Sequence, residues 1–274
     1  MPHAQINGAS LYYSVTGNGP ETLFFVHGLA FDGRMFDAQI EHFKSRYRCV
    51  AMDLRGHGQS ELTEDGYDME NMADDAVALI RHLDLGRCHF VGWSIGGFMG
   101  MRIAIRHPDL LKSLTLIGTA AIDGSETDFG FKAVPVLTRL FGMGAVTGSL
   151  MSAMFAKPFL RDPERSELRD TWRGRFRADR PLGVARAARG VIRQASVESE
   201  LGSITTPTVM LRGEFDAVVR LEPTQRTVDR IRGATLVSIE RAGHGCTIEE
   251  PDQVERAIES FLLRLAADAA QACG

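Results

Sequence analysis

The chain has 274 residues and a mass of 30.1 kDa, with 44% hydrophobic and 24% charged residues, enough material for one large hydrophobic core. Its formal charge of −4 and sequence pI near 6.1 give no chain-wide attraction to nucleic-acid phosphates or anionic lipid, so small-molecule chemistry is the expected role. Met1 to Ser10 lacks the basic start and apolar run of a secretory signal, and no continuous apolar stretch approaches the roughly 20 residues of a membrane span; a soluble, cytoplasmic protein is expected.

In chain order, Ile6 to Val15 carries the turn signals Asn7-Gly8 and Gly17-Asn18-Gly19 around short strands, which predicts an antiparallel hairpin at a sheet edge. Short β-branched and aromatic runs follow at Thr22 to Val26, Tyr47 to Met52, Cys88 to Trp93, Ser113 to Ile117, Thr208 to Leu211 and Thr235 to Ile239, all reading as buried strands. Helix-like segments alternate with them. Asp68 to Leu83 places Met69, Met72, Ala73, Ala76, Val77 and Ile80 at helical spacing, Ile95 to Arg106 runs directly on from a strand, and Pro251 to Leu265 is apolar-periodic. This alternation predicts an α/β protein with a mostly parallel sheet.

From about Ala121 to Gly202 the alternation stops. No clear strand appears, and Phe129, Phe131, Val134, Leu137, Leu140, Phe141, Met151, Met154, Phe155 and Phe159 form an apolar population punctuated by glycines. A segment of this length is too long for a plain loop, so residues 121–202 are expected to form a helical lid, with 1–120 and 203–274 forming the core domain. The four cysteines, Cys49, Cys88, Cys246 and Cys273, show neither C-x-x-C pairs nor metal-ligand spacing and read as free thiols; no metal or organic cofactor is called for.

The chemical signal centres on Gly92-Trp93-Ser94-Ile95-Gly96, a G-x-S-x-G pattern. Alone the pattern is weak, but between a strand and a helix it has a mechanism: a tight turn holds the serine Oγ exposed above the sheet. Serine is a poor nucleophile at neutral pH, so a histidine must take its proton and a carboxylate must orient that histidine. His244 lies in a glycine-flanked loop after the last strand, and Asp216 follows the preceding one. Both, like Ser94, fall at carboxyl ends of strands, where open α/β sheets collect their functional residues. A tetrahedral oxyanion needs two N–H donors; the backbone amides of Ile95 and Leu29 are the candidates.

Taken together, Phe25-Val26-His27-Gly28, Met52-Asp53-Leu54-Arg55-Gly56-His57-Gly58-Gln59-Ser60, the serine motif, Gly213-Glu214-Phe215-Asp216 and Gly243-His244 resemble the α/β-hydrolase superfamily over nearly the whole chain. The resemblance implies an eight-stranded sheet, a lid inserted after the sixth strand, and esterase, lactonase or related activity through an acyl-enzyme. Serine at position 94 departs from the haloalkane dehalogenase and epoxide hydrolase branches, which use aspartate there. The resemblance also offers Asp123, after the sixth strand, at a position some family members use for the acid, so it competes with Asp216.

The remaining polar residues have structural readings. His27 and His57 read as loop-shaping residues, and Asp53 and Arg55 as an internal ion pair or loop brace. Trp93 and Phe155 are candidates to touch substrate, although apolar residues at helical spacing are more often core. The lid arginines Arg169, Arg173, Arg175, Arg177 and Arg180 read as a solvated face; one turned inward would favour a substrate bearing a carboxylate. The leading expectation is a hydrolase of a small carboxylic ester. An enol-lactonase or a C–C bond hydrolase of aromatic catabolism is the alternative, and a ligand-sensing protein that retains the fold is the alternative of another class.

Overall fold

The computed structural model describes residues 2–127 and 129–272, without the side chains of Phe129 and Ala272. The first two strands, β1 (His3–Ile6) and β2 (Ala9–Thr16), form the expected edge hairpin, with Ile6 paired to Ala9 and φ of 45° at Asn7 and 76° at Gly8 in the turn. The β-branched and aromatic runs become β3 (Glu21–Val26), β4 (Tyr47–Met52), β5 (Cys88–Trp93), β6 (Leu111–Ile117), β7 (Thr208–Gly213) and β8 (Thr235–Ile239). The eight strands lie in the order β1-β2-β4-β3-β5-β6-β7-β8, antiparallel as far as the β2–β4 pair and parallel from β4 onward. Strand β5 sits in the middle and is buried along its whole length, as a strand covered by helices on both faces must be.

The helices between strands are α1 (Asp37–Phe43), α2 (Met69–His82) and α3 (Ile95–Arg106). Helix α2 starts where Asp68 accepts the Asn71 amide as N-cap, and it buries Met69, Met72, Ala73, Ala76, Val77 and Ile80, the face read from the spacing. Between β6 and β7 the described residues form helices and short 3-10 turns and no strand: α4 (Phe129–Met154), α5 (Lys157–Arg161), α6 (Ser166–Ala178) and α7 (Pro181–Arg193). Helix α4 is two helices in one, broken at Gly142, which has φ 72° and ψ 179°. Residues Gly130–Met154 are long and apolar enough by composition to cross a membrane, although in the sequence Lys132, Thr138 and Arg139 keep the apolar run from being continuous. One face of that helix is nonetheless core: Met143, Val146, Leu150, Met151 and Met154 are buried. The chain finishes with α8 (Leu221–Arg230), α9 (Cys246–Glu249) and α10 (Pro251–Ala272). Helix α10 runs seven residues past Leu265, where the apolar period was read to end.

Register fixes where chemistry can assemble. Val26 pairs with Gly92, Trp93 with Ile117, Leu211 with Val237 and Gly213 with Ile239, so the carboxyl ends of β3, β5, β6, β7 and β8 share one edge. The loops that leave this edge carry His27-Gly28, Ser94, Gly118-Thr119, Asp216 and His244. Cys49, Cys88 and Cys246 are buried free thiols, and burial pushes the first two up to about 12. Cys273 lies outside the described residues.

Candidate active site

Ser94 occupies the step between β5 and α3 with φ 54° and ψ −110°, a left-handed conformation that a residue with a side chain rarely adopts. The turn is tight because neighbouring backbones come close: a Cβ on Gly96 would lie 2.1 Å from the carbonyl oxygen of Val26, and one on Gly92 would lie 2.3 Å from that of Gly96. The motif glycines are thus required by approach, and the strain is concentrated at the one residue whose hydroxyl must stand clear of the strand.

The Ser94 hydroxyl is 3.2 Å from His244 Nε2, and His244 Nδ1 is 2.9 Å from Asp216 Oδ2. The histidine and the aspartate are 1% and 4% exposed, so the pair is shielded from solvent competition. Asp216 is itself held: its Oδ1 accepts the amides of Val218 at 2.8 Å and Val219 at 2.9 Å, which leaves Oδ2 for the imidazole. With Nδ1–H donated to the carboxylate, Nε2 is the acceptor and faces the serine hydroxyl. Such a chain can take a proton from Ser94 and stabilise the imidazolium that results.

Asp123 is not part of this chain. It is the N-cap of a 3-10 turn at Gly124–Glu126, accepting the Ser125 amide at 2.9 Å in a capping box with Glu126, and those hydrogen bonds hold its carboxyl below the usual range. The two aspartates read as competitors in the sequence therefore have different partners.

The oxyanion candidates flank the serine. Ile95 is the first residue of α3, where a helix leaves its amides without intrahelical acceptors and its dipole favours negative charge. Leu29 follows Gly28, and a Cβ on Gly28 would come within 2.8 Å of the Ser94 Cβ, so the Gly28-Leu29 backbone runs against Ser94. Ala30, with φ 60°, turns the chain away again.

Trp93 and Phe155 take different places. Trp93 is 1% exposed; its Nε1 donates to the His244 carbonyl at 2.8 Å and its ring lies 4.6 Å from the imidazole. Its side chain is a buried support for the histidine loop. Phe155, 3% exposed, packs against Phe159 and Phe176 and abuts the loop after His244, since a Cβ on Gly245 would lie 2.7 Å from its ring.

The structural readings of the other motif residues divide. His27 is buried between the Gly28 carbonyl at 2.8 Å and the Leu54 amide at 2.9 Å, and burial drives it down to about 3, so it is a neutral loop brace. Asp53 braces the loops through the amides of Gly33 and Gln59, both at 2.8 Å. Arg55 is not its ion-pair partner: the guanidinium forks onto Asp75 of α2 at 2.7 and 2.8 Å, both side chains under 5% exposed. Asp75 carried no sequence signal beyond a polar position on an amphipathic helix.

Arg169, Arg173, Arg175 and Arg180 of the insertion find partners. Arg180 donates to the carbonyls of Ser60 at 2.6 Å and Gly58 at 3.1 Å, joining the insertion to the β4–α2 loop. Arg175 stacks on Trp172 at 4.4 Å, Arg173 pairs with Asp170, and Arg169 donates to the carbonyls of Phe159 and Asp162. A cleft of about 760 Å³ opens beside Phe31, between β2, β4 and α6, and is lined by Asp32, Asp37, Asp53, Arg175, Asp179 and Arg180 among others. Ser94 is not among its lining residues.

A family model described as "Alpha/beta hydrolase family" matches residues 23–257. The 3-oxoadipate enol-lactonase 2 of Acinetobacter baylyi is 27% identical, over 93% of this chain and 94% of that one. Among solved structures, an enol-lactonase from Burkholderia xenovorans superposes with a TM-score of 0.88 at 25% identity, covering 96% of this chain and all of that one. A malate-bound thermophilic esterase from Thermogutta terrifontis superposes with a TM-score of 0.88 at 28% identity, covering 97% and 99%.

Proposed function

The chain belongs to the alpha/beta hydrolase family, and we propose that within it this protein cleaves a small carboxylic ester through an acyl-enzyme formed on Ser94. The observation that carries the reading is the continuous hydrogen-bonded chain from Asp216 Oδ2 through both nitrogens of His244 to Ser94 Oγ. His244 Nε2 accepts the hydroxyl proton as Oγ attacks the ester carbonyl. Asp216 keeps the ring in the required tautomer and compensates its charge. The amides of Ile95 and Leu29 receive the oxyanion, a contribution of about 3 kcal/mol for each such donor in comparable sites. His244 then returns the proton to the leaving alcohol, and water repeats the cycle on the acyl-enzyme with the imidazole as base. The insertion 121–202 acts as a lid that shapes the acyl site and carries Phe155 toward it.

A lactone is the favoured second substrate class, supported by the enol-lactonases that this chain resembles in sequence and in structure. The same steps apply, with the leaving alcohol tethered to the acyl group and the product a single hydroxy or oxo acid. Hydrolysis of a panel of p-nitrophenyl esters and lactones by wild type and Ser94→Ala, with chelator present, tests the reading. Chelator-insensitive turnover that vanishes in Ser94→Ala supports it and ranks the two classes. Equal turnover in both proteins, or none on any substrate, removes it in favour of a C–C hydrolase or a ligand-sensing role.

A further inference from the structure

Five residues beyond His244, at the end of α9, Glu249 carries a carboxylate in a side chain with no solvent exposure. Oε1 accepts the amide of Gly243 at 2.8 Å and Oε2 the amide of Ala156, also at 2.8 Å. The two donors belong to different parts of the molecule. Gly243 immediately precedes His244, while Ala156 lies in the insertion as the N-cap of α5. The same junction is tied twice more, by the Gly245 amide on the Met154 carbonyl at 2.7 Å and by the Arg165 guanidinium on the carbonyl of Glu249 itself. There is no slack between the segments: a Cβ on Gly243 would come within 2.8 Å of the Ala156 nitrogen, and one on Gly245 within 2.7 Å of the Phe155 ring. His244 is thus flanked by Gly245, bonded directly to the insertion, and by Gly243, linked to it through the Glu249 carboxylate.

We propose that Glu249 is a positioning residue for His244, a carboxylate clamp that locks the histidine loop to the helical insertion so that the imidazole is correctly set only when the insertion is seated. The inference rests on the reading of Ser94 and His244 as nucleophile and base. An ionised carboxylate is the side chain that suits the place, because both partners are buried N–H donors and it offers two acceptors with no competing hydrogen. Glutamine has the same shape but turns an NH₂ toward one of those donors, leaving a buried amide unpaired. Burial pushes the Glu249 carboxyl up to about 7, against the pull of the Ala156 and Gly243 amides. The neighbouring Asp216 and Glu250 push the same way, and the other groups at the junction are the Arg165 guanidinium, the un-ionised Cys246 thiol and the His244 ring. The charge that makes the clamp is therefore established in the neutral pH range, where histidine bases also act.

The test compares wild type, Ser94→Ala, Glu249→Gln and Ala156→Pro on one p-nitrophenyl ester, with a thermal melt of each. Ala156→Pro abolishes the lid-side donor at a φ of −71° that the proline ring accepts, and sets the ring Cδ against Glu249 Oε2, so the link between carboxylate and insertion is broken from the other side. The expected result for Glu249→Gln is a cooperative melt with kcat at least about tenfold lower, KM within about threefold, and an acid limb of kcat/KM that is shallower by one protonation. Ala156→Pro is expected to lower kcat in the same way. A folded Glu249→Gln protein with wild-type kcat and an unchanged acid limb overturns the proposal. Should that variant fail to melt cooperatively, Ala156→Pro decides: a loss in kcat at constant KM sustains the clamp, and wild-type kcat overturns it. An inactive wild type, or Ser94→Ala as active as wild type, instead removes the hydrolase reading on which the clamp rests.

Discussion

The indole Nε1 of Trp93 donates a 2.8 Å hydrogen bond to the carbonyl of His244, so the residue before the serine holds the histidine loop from behind. The two motifs lie 151 residues apart in the chain, yet this side-chain-to-backbone bond joins them directly. Trp93→Phe keeps a ring beside the imidazole but leaves the buried His244 carbonyl unpaired. We expect a stability loss of about 1–3 kcal/mol by urea titration. In steady-state kinetics kcat should fall, with KM little changed, because the lost bond supports the base and not the substrate.

The acid can be assigned by a pair of asparagines. Asp216→Asn preserves shape but lets an amide hydrogen face His244 Nδ1, which favours the wrong tautomer, and kcat is expected to fall by about 10⁴-fold. Asp123→Asn, altered only in an exposed capping turn, is expected to stay within about twofold of wild type. The reverse ranking would move the acid to the loop after β6.

The ion pair of Arg55 and Asp75 is buried on both sides, so its removal is asymmetric. Asp75→Ala strands a guanidinium that is 4% exposed, and a loss of about 3–5 kcal/mol is expected in chemical denaturation. The double variant Arg55→Met with Asp75→Leu is expected to recover much of that loss, since no charge is left buried. A double variant no more stable than Asp75→Ala would show that the charges themselves are needed to order the loop.

Stability should carry a pH signature from Asp53. Burial raises its carboxyl from 3.8 to about 6 despite amide bonds from Gln59 and Gly33. A raised folded value means that the folded state holds the proton more tightly than the unfolded one. The resulting stabilisation is complete below about pH 4 and is lost as pH rises through 6, by roughly 3 kcal/mol in all. The difference in unfolding free energy between wild type and Asp53→Asn, measured from pH 4 to 7.5, should decline over that window; a flat difference would contradict the assignment.

What was legible in the sequence follows from how local each signal is. Period and β-branching gave the buried inner strands, because a strand covered on both faces is written as one apolar run; Thr235–Ile239 was also read as buried, yet β8 is an edge strand in which only Ile239 is buried. The serine turn was legible through its flanking glycines, whose absent Cβ atoms are required by the close approach of Val26 and Gly96. Partnerships set by tertiary distance were not. Asp123 and Asp216 both follow strands, and only folding shows one capping a turn while the other reaches His244. Arg55 faces Asp75 twenty residues on, hidden among the polar positions of α2. Glu249 reads as one more acidic residue ahead of a C-terminal helix, and its two buried amide partners lie 6 and 93 residues away. Trp93 was expected beside substrate because it neighbours Ser94 in sequence, yet as the last residue of β5 it points into the support behind the imidazole.

The most direct test is covalent trapping with diethyl p-nitrophenyl phosphate followed by mass spectrometry of the digested protein. If Ser94 is the activated nucleophile, one diethylphosphoryl group per chain should appear on the peptide containing Ser94, release one equivalent of p-nitrophenol and abolish ester hydrolysis, and His244→Ala should slow the labelling sharply. Labelling confined to another residue, or full hydrolytic activity in a protein labelled stoichiometrically at Ser94, would contradict it.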